Sequence, residues 1–329
     1  MKGADGNPET NALRAGLTEV QLTAATLRSG YPLQVKVAQL LPEFDIAEEW
    51  GYIDRETNEA RSLDIHAYKS LLINPASVFH PELTLLIECK RSDLPFVFFQ
   101  AAIQALPRRE YPKLDGFRTT RFEVHKPDGS GYLEATAAEF LVIREFPFVA
   151  QGPPVCRAFV KADRKGKESK DSGEFPEIQR IKAVDLSGEL PYRSVIMPLV
   201  SAYQHWARMR HVEGDQARYY PSLTLMVCVF DAPMVLVSGP PEQPTLQMQP
   251  WVRVVRQESF LDHRWVSYRH FVIDCVHVDY LRTFVDDHVR PFGTQVATRI
   301  EEAKPLLSVG RATGRGSGMW EFKDLQAWA

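Results

Sequence analysis

Two carboxylates and an ammonium group are the residues whose types and spacing best fit a chemical role. Asp64 is followed, after a spacer of residues 65–87, by the tripeptide Glu88-Cys89-Lys90. Carboxylate oxygens are the ligands that a hard divalent cation such as Mg²⁺ prefers. A lysine beside such a cation can orient a water molecule or offset negative charge in a transition state. The three side chains therefore predict metal-assisted hydrolysis of a phosphate ester.

Two strands are expected to carry these residues. Residues 62–68 read SLDIHAY and residues 83–90 read LTLLIECK, and polar or proline-bearing turns bound both runs. Such runs are typical of β-strands, and the second is apolar enough to be largely buried. A carboxylate and an ammonium at the end of a buried strand cost several kcal/mol unless they are paired or bind an ion.

Alternation along a strand predicts which side chains can meet. Glu88 and Lys90 lie on one face and Cys89 on the other, so Cys89 is not a nucleophile of this site. Asp64 shares a face with His66, which is expected to be either a hydrogen-bonded structural histidine or a phosphate contact. If the two strands are neighbours, Asp64, Glu88 and Lys90 converge. Asp64 and Glu88 would then hold Mg²⁺ or Mn²⁺, with the backbone carbonyl of Cys89 as a further ligand.

This pattern resembles the PD-(D/E)xK nuclease superfamily. The resemblance rests on Asp64, on Glu88-Cys89-Lys90, and on an upstream helix that opens with SGYPLQ and precedes three strands. It covers about residues 18–100. It implies an α/β restriction-endonuclease-like core, a mixed central sheet flanked by helices, here with a large insertion or a second α/β subdomain. It also implies Asp64, Glu88 and Lys90 as catalytic residues, and a context of restriction, repair or defence against phage.

The resemblance extends to a glutamine-bearing helix and carries one departure. Family members often continue with such a helix and two more strands, which fits Gln204 in SAYQHWARM and makes Gln204 a candidate substrate contact. Many members also place a glutamate on the first helix, where this chain has Gln34. Gln34 would ligate the metal through its carbonyl oxygen, with one charge fewer. Weaker metal binding, a preference for manganese and lost activity are the open consequences, and a nearby acid could substitute: Glu43, Glu48 or Glu49.

The rest of the chain is divided by composition and pattern. A helix is expected over residues 194–210, strands over 223–230 and 233–239, two further strands at WVRVV and HFVIDCVHV, and a helix from about residue 279 to 304. The segments are a flexible N-terminus (1–17), the first half of the core (18–105), an insertion or elaboration (106–190), a second half or second subdomain (191–304) and a tail (305–329).

Composition narrows the function classes. The chain of 329 residues is 44% hydrophobic and 25% charged, which fits a globular fold, and its net charge of −3 gives no overall attraction to nucleic acid. No phosphate-binding glycine motif of an NTPase or dinucleotide enzyme occurs. The four cysteines are far apart and predict buried free thiols. The polar N-terminus lacks a signal peptide, so a cytoplasmic protein without a membrane span is expected.

A basic stretch offers a second contact with nucleic acid. Arg108 and Arg109 open a run of cationic and aromatic residues that can lie along a phosphate backbone, although a solvated face is the ordinary interpretation.

Three functions follow in order of preference. The first is a metal-dependent nuclease whose substrate is nucleic acid, with DNA favoured over RNA. The second is a non-catalytic nuclease-fold module that binds nucleic acid or a protein partner, favoured by Gln34 and the acidic net charge. The third is a metal-dependent phosphoesterase for small nucleotides. The sequence leaves a homodimer open.

Overall fold

The computed structural model describes residues 5–14, 16–107, 111–119, 121–125, 130–164, 184–212, 217–262, 265–309 and 311–313. The strands within these ranges are β1 (Asp45–Ile53), β2 (Ala60–Ser70), β3 (Glu82–Arg91), β4 (Phe96–Gln100), β5 (Lys113–Asp115), β6 (Phe122–His125), β7 (Tyr132–Ala135), β8 (Val155–Arg164), β9 (Val184–Ser187), β10 (Ser222–Asp231), β11 (Met234–Ser238), β12 (Thr245–Met248), β13 (Trp251–Asp262), β14 (Trp265–His277) and β15 (Arg311–Thr313).

The helices lie mostly between and after the strands. They are α1 (Glu19–Arg28), α2 (Tyr31–Gln39), α3 (Ala137–Phe140), α4 (Pro147–Ala150), α5 (Glu189–Pro191), α6 (Met197–Met209), α7 (Leu281–Thr283) and α8 (Arg290–Val309). Short 3₁₀ turns occur at Ile143–Glu145 and Val278–Tyr280, and single π-helical turns precede α6 (Tyr192–Ile196) and α8 (Phe284–Val289).

The chain begins with the two helices that the sequence predicts. At the start of α1, Gln21 N–H donates to the Thr18 hydroxyl (3.2 Å) and Thr18 N–H donates to the Gln21 side chain (2.9 Å), which satisfies two of the free donors of a helix start. Ser29 and Gly30 separate α1 from α2, and Pro32 lies in the first turn of α2. This break turns α2 so that its buried residues face the sheet.

Strands from most of the described chain join one mixed sheet. Its order is β1-β2-β3-β10-β14-β13-β8-β4-β11-β12, with β5 also paired to β10 and β9 to β8. The strands β1, β2 and β3 form an antiparallel meander, whereas β10 lies parallel to both β3 and β14. A small separate sheet has the order β15-β6-β7. The prediction of a mixed α/β protein with a central sheet flanked by helices is confirmed.

Each face of the large sheet is covered by helices. On one face, Leu33 and Val37 of α2 and Ile300 and Leu307 of α8 belong to a single buried apolar cluster. On the other face, α6 contributes Leu199, Val200 and Trp206, among others, to a second cluster. The central strand β10 is buried on both faces, which explains why its sequence is a continuous apolar run and does not alternate.

The predictions outside the core were correct in part. The middle of the chain forms more strands than expected, and β5, β8 and β9 join the main sheet. The last helix continues past residue 304 to Val309 and includes Pro305, so it ends later than predicted. Leu307 is 1% exposed in the core, and its burial offsets the backbone hydrogen bond that proline removes.

Two further expectations concern cysteines and membranes. The four cysteines are buried free thiols, as predicted: Cys89, Cys156, Cys228 and Cys275. Of the helices described, none combines the length and apolar character that a membrane-spanning helix needs.

Candidate active site

The candidate site lies where β2 and β3 part. The two strands pair from Ser70↔Glu82 to Ile65↔Ile87, and the ladder ends there. In the same register Cys89 would face Leu63, but the Cys89 N–H donates instead to Asp64 Oδ2 at 2.6 Å. The side chain of Asp64 therefore occupies the gap between the strands and takes the place of a ladder hydrogen bond.

Gln34 reaches into the same gap from α2. Its Nε2 donates to Glu49 Oε1 (2.7 Å), to the Asp64 backbone oxygen (3.0 Å) and to Asp64 Oδ1 (3.2 Å). The residue is buried at 3% exposure, because the neighbouring turn of α2 packs on the sheet. The structure thus differs from the predicted carbonyl ligand: the amide nitrogen, not the oxygen, faces the two carboxylates, as expected for a neutral donor between two anions.

Glu49 is the third carboxylate of the site. It lies across from Asp64, between the pairs Glu48↔Ile65 and Trp50↔Leu63, and its backbone φ of +49° is in the left-handed region. Ser62 donates from its hydroxyl to Glu49 Oε2 at 3.0 Å. A left-handed glutamate in a strand is strained by about 1–2 kcal/mol, and the hydrogen bonds from Gln34 and Ser62 help to hold it there.

The alternative acids do not reach this gap. Glu43 pairs with Arg282 at 2.9 Å, and the hydrogen bonds from Gln34 and Ser62 are made to Glu49 and not to Glu48. Sequence patterning named Glu49 only as one of three substitutes, because a left-handed residue within a strand leaves no periodic signal.

Glu88 and Lys90 form an ion pair on the same face of β3. Lys90 Nζ contacts Glu88 Oε1, and their side chains are 24% and 9% exposed. Burial raises the pKa of Glu88 to about 7, against the opposing effect of Lys90 and with added repulsion from Asp64 and Glu49. Burial lowers the pKa of Lys90, but Glu88, Cys228 and Asp64 together raise it, so the net shift is upward.

Asp64 also carries a desolvated carboxyl group. Burial raises its pKa, although the Cys89 N–H and the Lys90 ammonium act in the opposite direction. Cys89 itself points its side chain into the apolar core on the α2 face, and burial raises the pKa of its thiol far above the usual range. In a strand, the N–H and C=O of one residue point to the same neighbour, so the Cys89 carbonyl also faces β2.

His66 lies within an aromatic cluster. Its ring stacks on Trp50 with centroids 4.9 Å apart and lies 4.6 Å from Trp206 of α6. Its exposure is 5%, and burial together with Arg210 lowers its pKa to about 4, so the ring is neutral near pH 7. These contacts favour the structural interpretation of His66 over a phosphate contact.

The other predicted substrate contacts are Gln204, Arg108 and Arg109. Gln204 is buried on α6, the helix that packs against β1, β2 and β3. Arg108 and Arg109 lie outside the described residues.

In this arrangement the charged side chains of the site contact other groups of the protein. Within the described ranges, no group of three or more His, Cys, Asp or Glu residues is set to hold a metal ion. Glu88 is turned toward Lys90, and Asp64 toward the Cys89 N–H. The donor set nevertheless consists of carboxylate oxygens, which is the chemistry that fits Mg²⁺ or Mn²⁺.

Comparisons of the chain with protein-family models, with curated proteins and with solved structures found no match.

Proposed function

We propose that the chain is a metal-dependent phosphodiesterase that hydrolyses nucleic acid. One observation carries the proposal: Asp64, Glu88 and Lys90 meet where β2 and β3 part, where Glu88 is buried and Asp64 half-buried, and desolvation raises the pKa of both acids. Burying carboxylates in this way lowers stability, and such costs are typical of functional sites. A purely structural ion pair would require only Glu88 and Lys90, and not Asp64.

The order of the strands supports the proposed nuclease core. The antiparallel strands β1, β2 and β3 are followed by α6 and then by β10, which lies parallel to β3. This is the order of helix, three strands, helix and strand that the resemblance to the PD-(D/E)xK superfamily implies. The long connection between β3 and α6 is used for strands that extend the same sheet, such as β4 and β8.

Asp64, Glu88 and Glu49 would hold the metal ion, with the Cys89 carbonyl as a further oxygen ligand. The ion supplies charge to polarise a phosphate oxygen and to acidify a bound water. Lys90 would hold the attacking water or offset the charge on the phosphate, once a cation relieves it of pairing with Glu88.

Gln34 would position the site and not ligate. Its amide group holds Glu49 and Asp64 together, so the charge missing from α2 is supplied by the glutamate of β1. On this proposal the departure from the family pattern moves one acid from a helix to a strand and keeps the number of carboxylates.

A second candidate function is a nuclease-fold module that binds nucleic acid or a protein partner without cleaving. The Glu88–Lys90 ion pair is the observation that favours it, because a lysine already neutralises one of the two predicted ligands. The hydrogen bonds that Asp64 accepts come from the Cys89 N–H and the Gln34 amide, and neither donor is a cation.

Binding of Mn²⁺ distinguishes the two. We expect the wild-type protein to bind one Mn²⁺ per chain in a calorimetric titration, and so should Asp231→Asn, which changes a half-buried acid paired with Arg91 at the end of neighbouring β10. Asp64→Asn should bind at least about tenfold more weakly, because it removes a charged ligand. The same samples are then incubated with end-labelled single- and double-stranded DNA and RNA. Equal Mn²⁺ binding by Asp64→Asn, or no binding by any sample, would overturn the nuclease proposal and favour the module.

A further inference from the structure

A cavity of about 530 Å³ lies at the opposite end of the sheet from the candidate active site. It is bordered by β5, by the start of α3, by the last turns of α6 and by Arg269 of β14. Strand β5 pairs with β10 from Ser222 to Thr224, beside the first residues of β3. Six residues of strand separate Glu82 from Glu88, which corresponds to about 20 Å, so this cavity and the candidate active site are two separate sites.

A half-buried carboxylate borders the cavity. Asp115, the last residue of β5, accepts a hydrogen bond from the Tyr203 hydroxyl at 2.9 Å. Gly116 follows with φ +88°, and a Cβ on it would lie 2.3 Å from the Tyr220 backbone oxygen. Only glycine fits there, so the turn is fixed against Tyr220 and holds Asp115 in place.

The other acids of the lining are engaged within the protein. Glu139 accepts the Thr136 N–H at 2.9 Å and so caps α3, and Glu134 holds Arg121 at 2.5 Å. Burial raises the pKa of Asp115, against the opposing effects of Tyr203, Lys113 and Arg269. Desolvating a carboxylate beside an open cavity is costly, and a ligand that donates hydrogen bonds to it would repay that cost.

Cationic groups surround the same space. Lys113 Nζ lies 5.5 Å from the ring centroid of Tyr203, and Arg210 stacks over Trp206 at 4.3 Å. Arg121, Arg210 and the exposed Arg269 all border the cavity. A guanidinium has five N–H donors, so an arginine that already holds a carboxylate can still bind a phosphate.

We propose that this cavity binds a guanine nucleotide, with the base on Asp115 and the phosphate on the arginines. Guanine presents two adjacent N–H donors on its Watson–Crick edge, which match the two oxygens of one carboxylate. Adenine presents a donor beside an acceptor there, and the acceptor would face an anion. Tyr203 and Lys113 border the base position, and the volume is in the range of small-ligand sites. The proposal is independent of the nuclease proposal, since it requires neither metal nor cleavage.

Calorimetric titration of the full chain in EDTA tests the proposal, with GMP, AMP, guanosine and inorganic phosphate as the probes. We expect GMP to bind at least about tenfold more tightly than each of the others, because only GMP offers both the donor edge of guanine and a phosphate. Absence of GMP binding at millimolar concentration, or equal affinity for GMP and AMP, would overturn the proposal.

Two variants assign the parts of the ligand. Asp115→Asn should weaken GMP binding about tenfold or more and leave phosphate binding unchanged, whereas Arg269→Gln should weaken both. Arg157→Gln changes an exposed arginine outside the lining and should bind GMP as the wild type does. If Asp115→Asn does not fold, Arg269→Gln and the comparison of GMP with AMP still test whether the cavity binds a guanine nucleotide. Unchanged GMP affinity in Arg269→Gln would contradict the proposed phosphate position.

Discussion

The carboxylate of Asp64 accepts the backbone N–H of Cys89 at 2.6 Å, at the point where the ladder between β2 and β3 ends. This bond ties the first predicted acid to the strand that carries Glu88 and Lys90. It also explains how the two strands can part without leaving a buried donor unpaired. The gap that results is where the carboxylates, the lysine and Gln34 meet.

Glu49 should combine a strained backbone with a role as a metal ligand. We expect Glu49→Gly to change the free energy of unfolding without metal by less than about 1 kcal/mol, because relief of the backbone strain at φ +49° offsets the loss of the hydrogen bonds from Gln34 and Ser62. Mg²⁺ should then stabilise the variant less than the wild type. Urea denaturation with and without Mg²⁺ measures both effects.

The matched control is Asn58→Gly, since Asn58 also has a left-handed backbone, at φ +55°, in the turn between β1 and β2. It should keep the full response to Mg²⁺. Equal stabilisation of Glu49→Gly and wild type by Mg²⁺ would remove Glu49 from the proposed ligand set.

Gln34→Glu should make the fold depend on metal. The variant loses the amide that donates to Glu49 and Asp64 and adds a like charge between them, so we expect a loss of about 2–3 kcal/mol in EDTA. Mg²⁺ should raise its Tm by more than it raises that of the wild type. Thermal melts in EDTA and Mg²⁺ provide the measurement, with Gln39→Glu, on the exposed face of the same helix, as the control. A Tm unchanged in EDTA would contradict the positioning role of Gln34.

His66 should make stability depend on pH. Its pKa of about 4 in the folded state is below the ordinary value of 6.5, so the unfolded chain binds more protons between these values. The contribution of His66 is therefore complete above pH 6.5 and is lost as the pH falls toward 4, by about 3 kcal/mol.

The variant His66→Phe, which can still stack between Trp50 and Trp206, should lose this part of the pH dependence. The test is the difference in unfolding free energy between variant and wild type, followed from pH 7 to pH 4. A difference that stays constant over this range would show that His66 does not titrate on unfolding.

The sequence predicted the elements that carry strong patterns. The alternation in SLDIHAY and the apolar run LTLLIECK were enough to place β2 and β3 and to put Glu88 and Lys90 on one face. The position of α2 also followed from Ser29, Gly30 and Pro32. These features are local, so propensity and periodicity decide them.

Other features depend on tertiary contacts and leave no local signal. The left-handed Glu49, the orientation of the Gln34 amide and the stacking of His66 between strands and α6 are examples. The three-residue strand β5, which places Asp115 beside the second cavity, is too short for any periodic pattern. The last helix was expected to end at about residue 304, but it continues through Pro305, where burial of Leu307 outweighs the loss of one hydrogen bond.

The rate of Mg²⁺-dependent cleavage by Lys90→Ala tests the central claim most directly. The preferred substrate from the DNA and RNA panel is used, and Lys36→Ala, an exposed lysine of α2 paired with Asp279, is the control. We expect cleavage by the wild type and by Lys36→Ala that EDTA abolishes, and a rate at least about 100-fold lower for folded Lys90→Ala. Cleavage by Lys90→Ala at the wild-type rate, or cleavage by the wild type that persists in EDTA, would contradict the central claim.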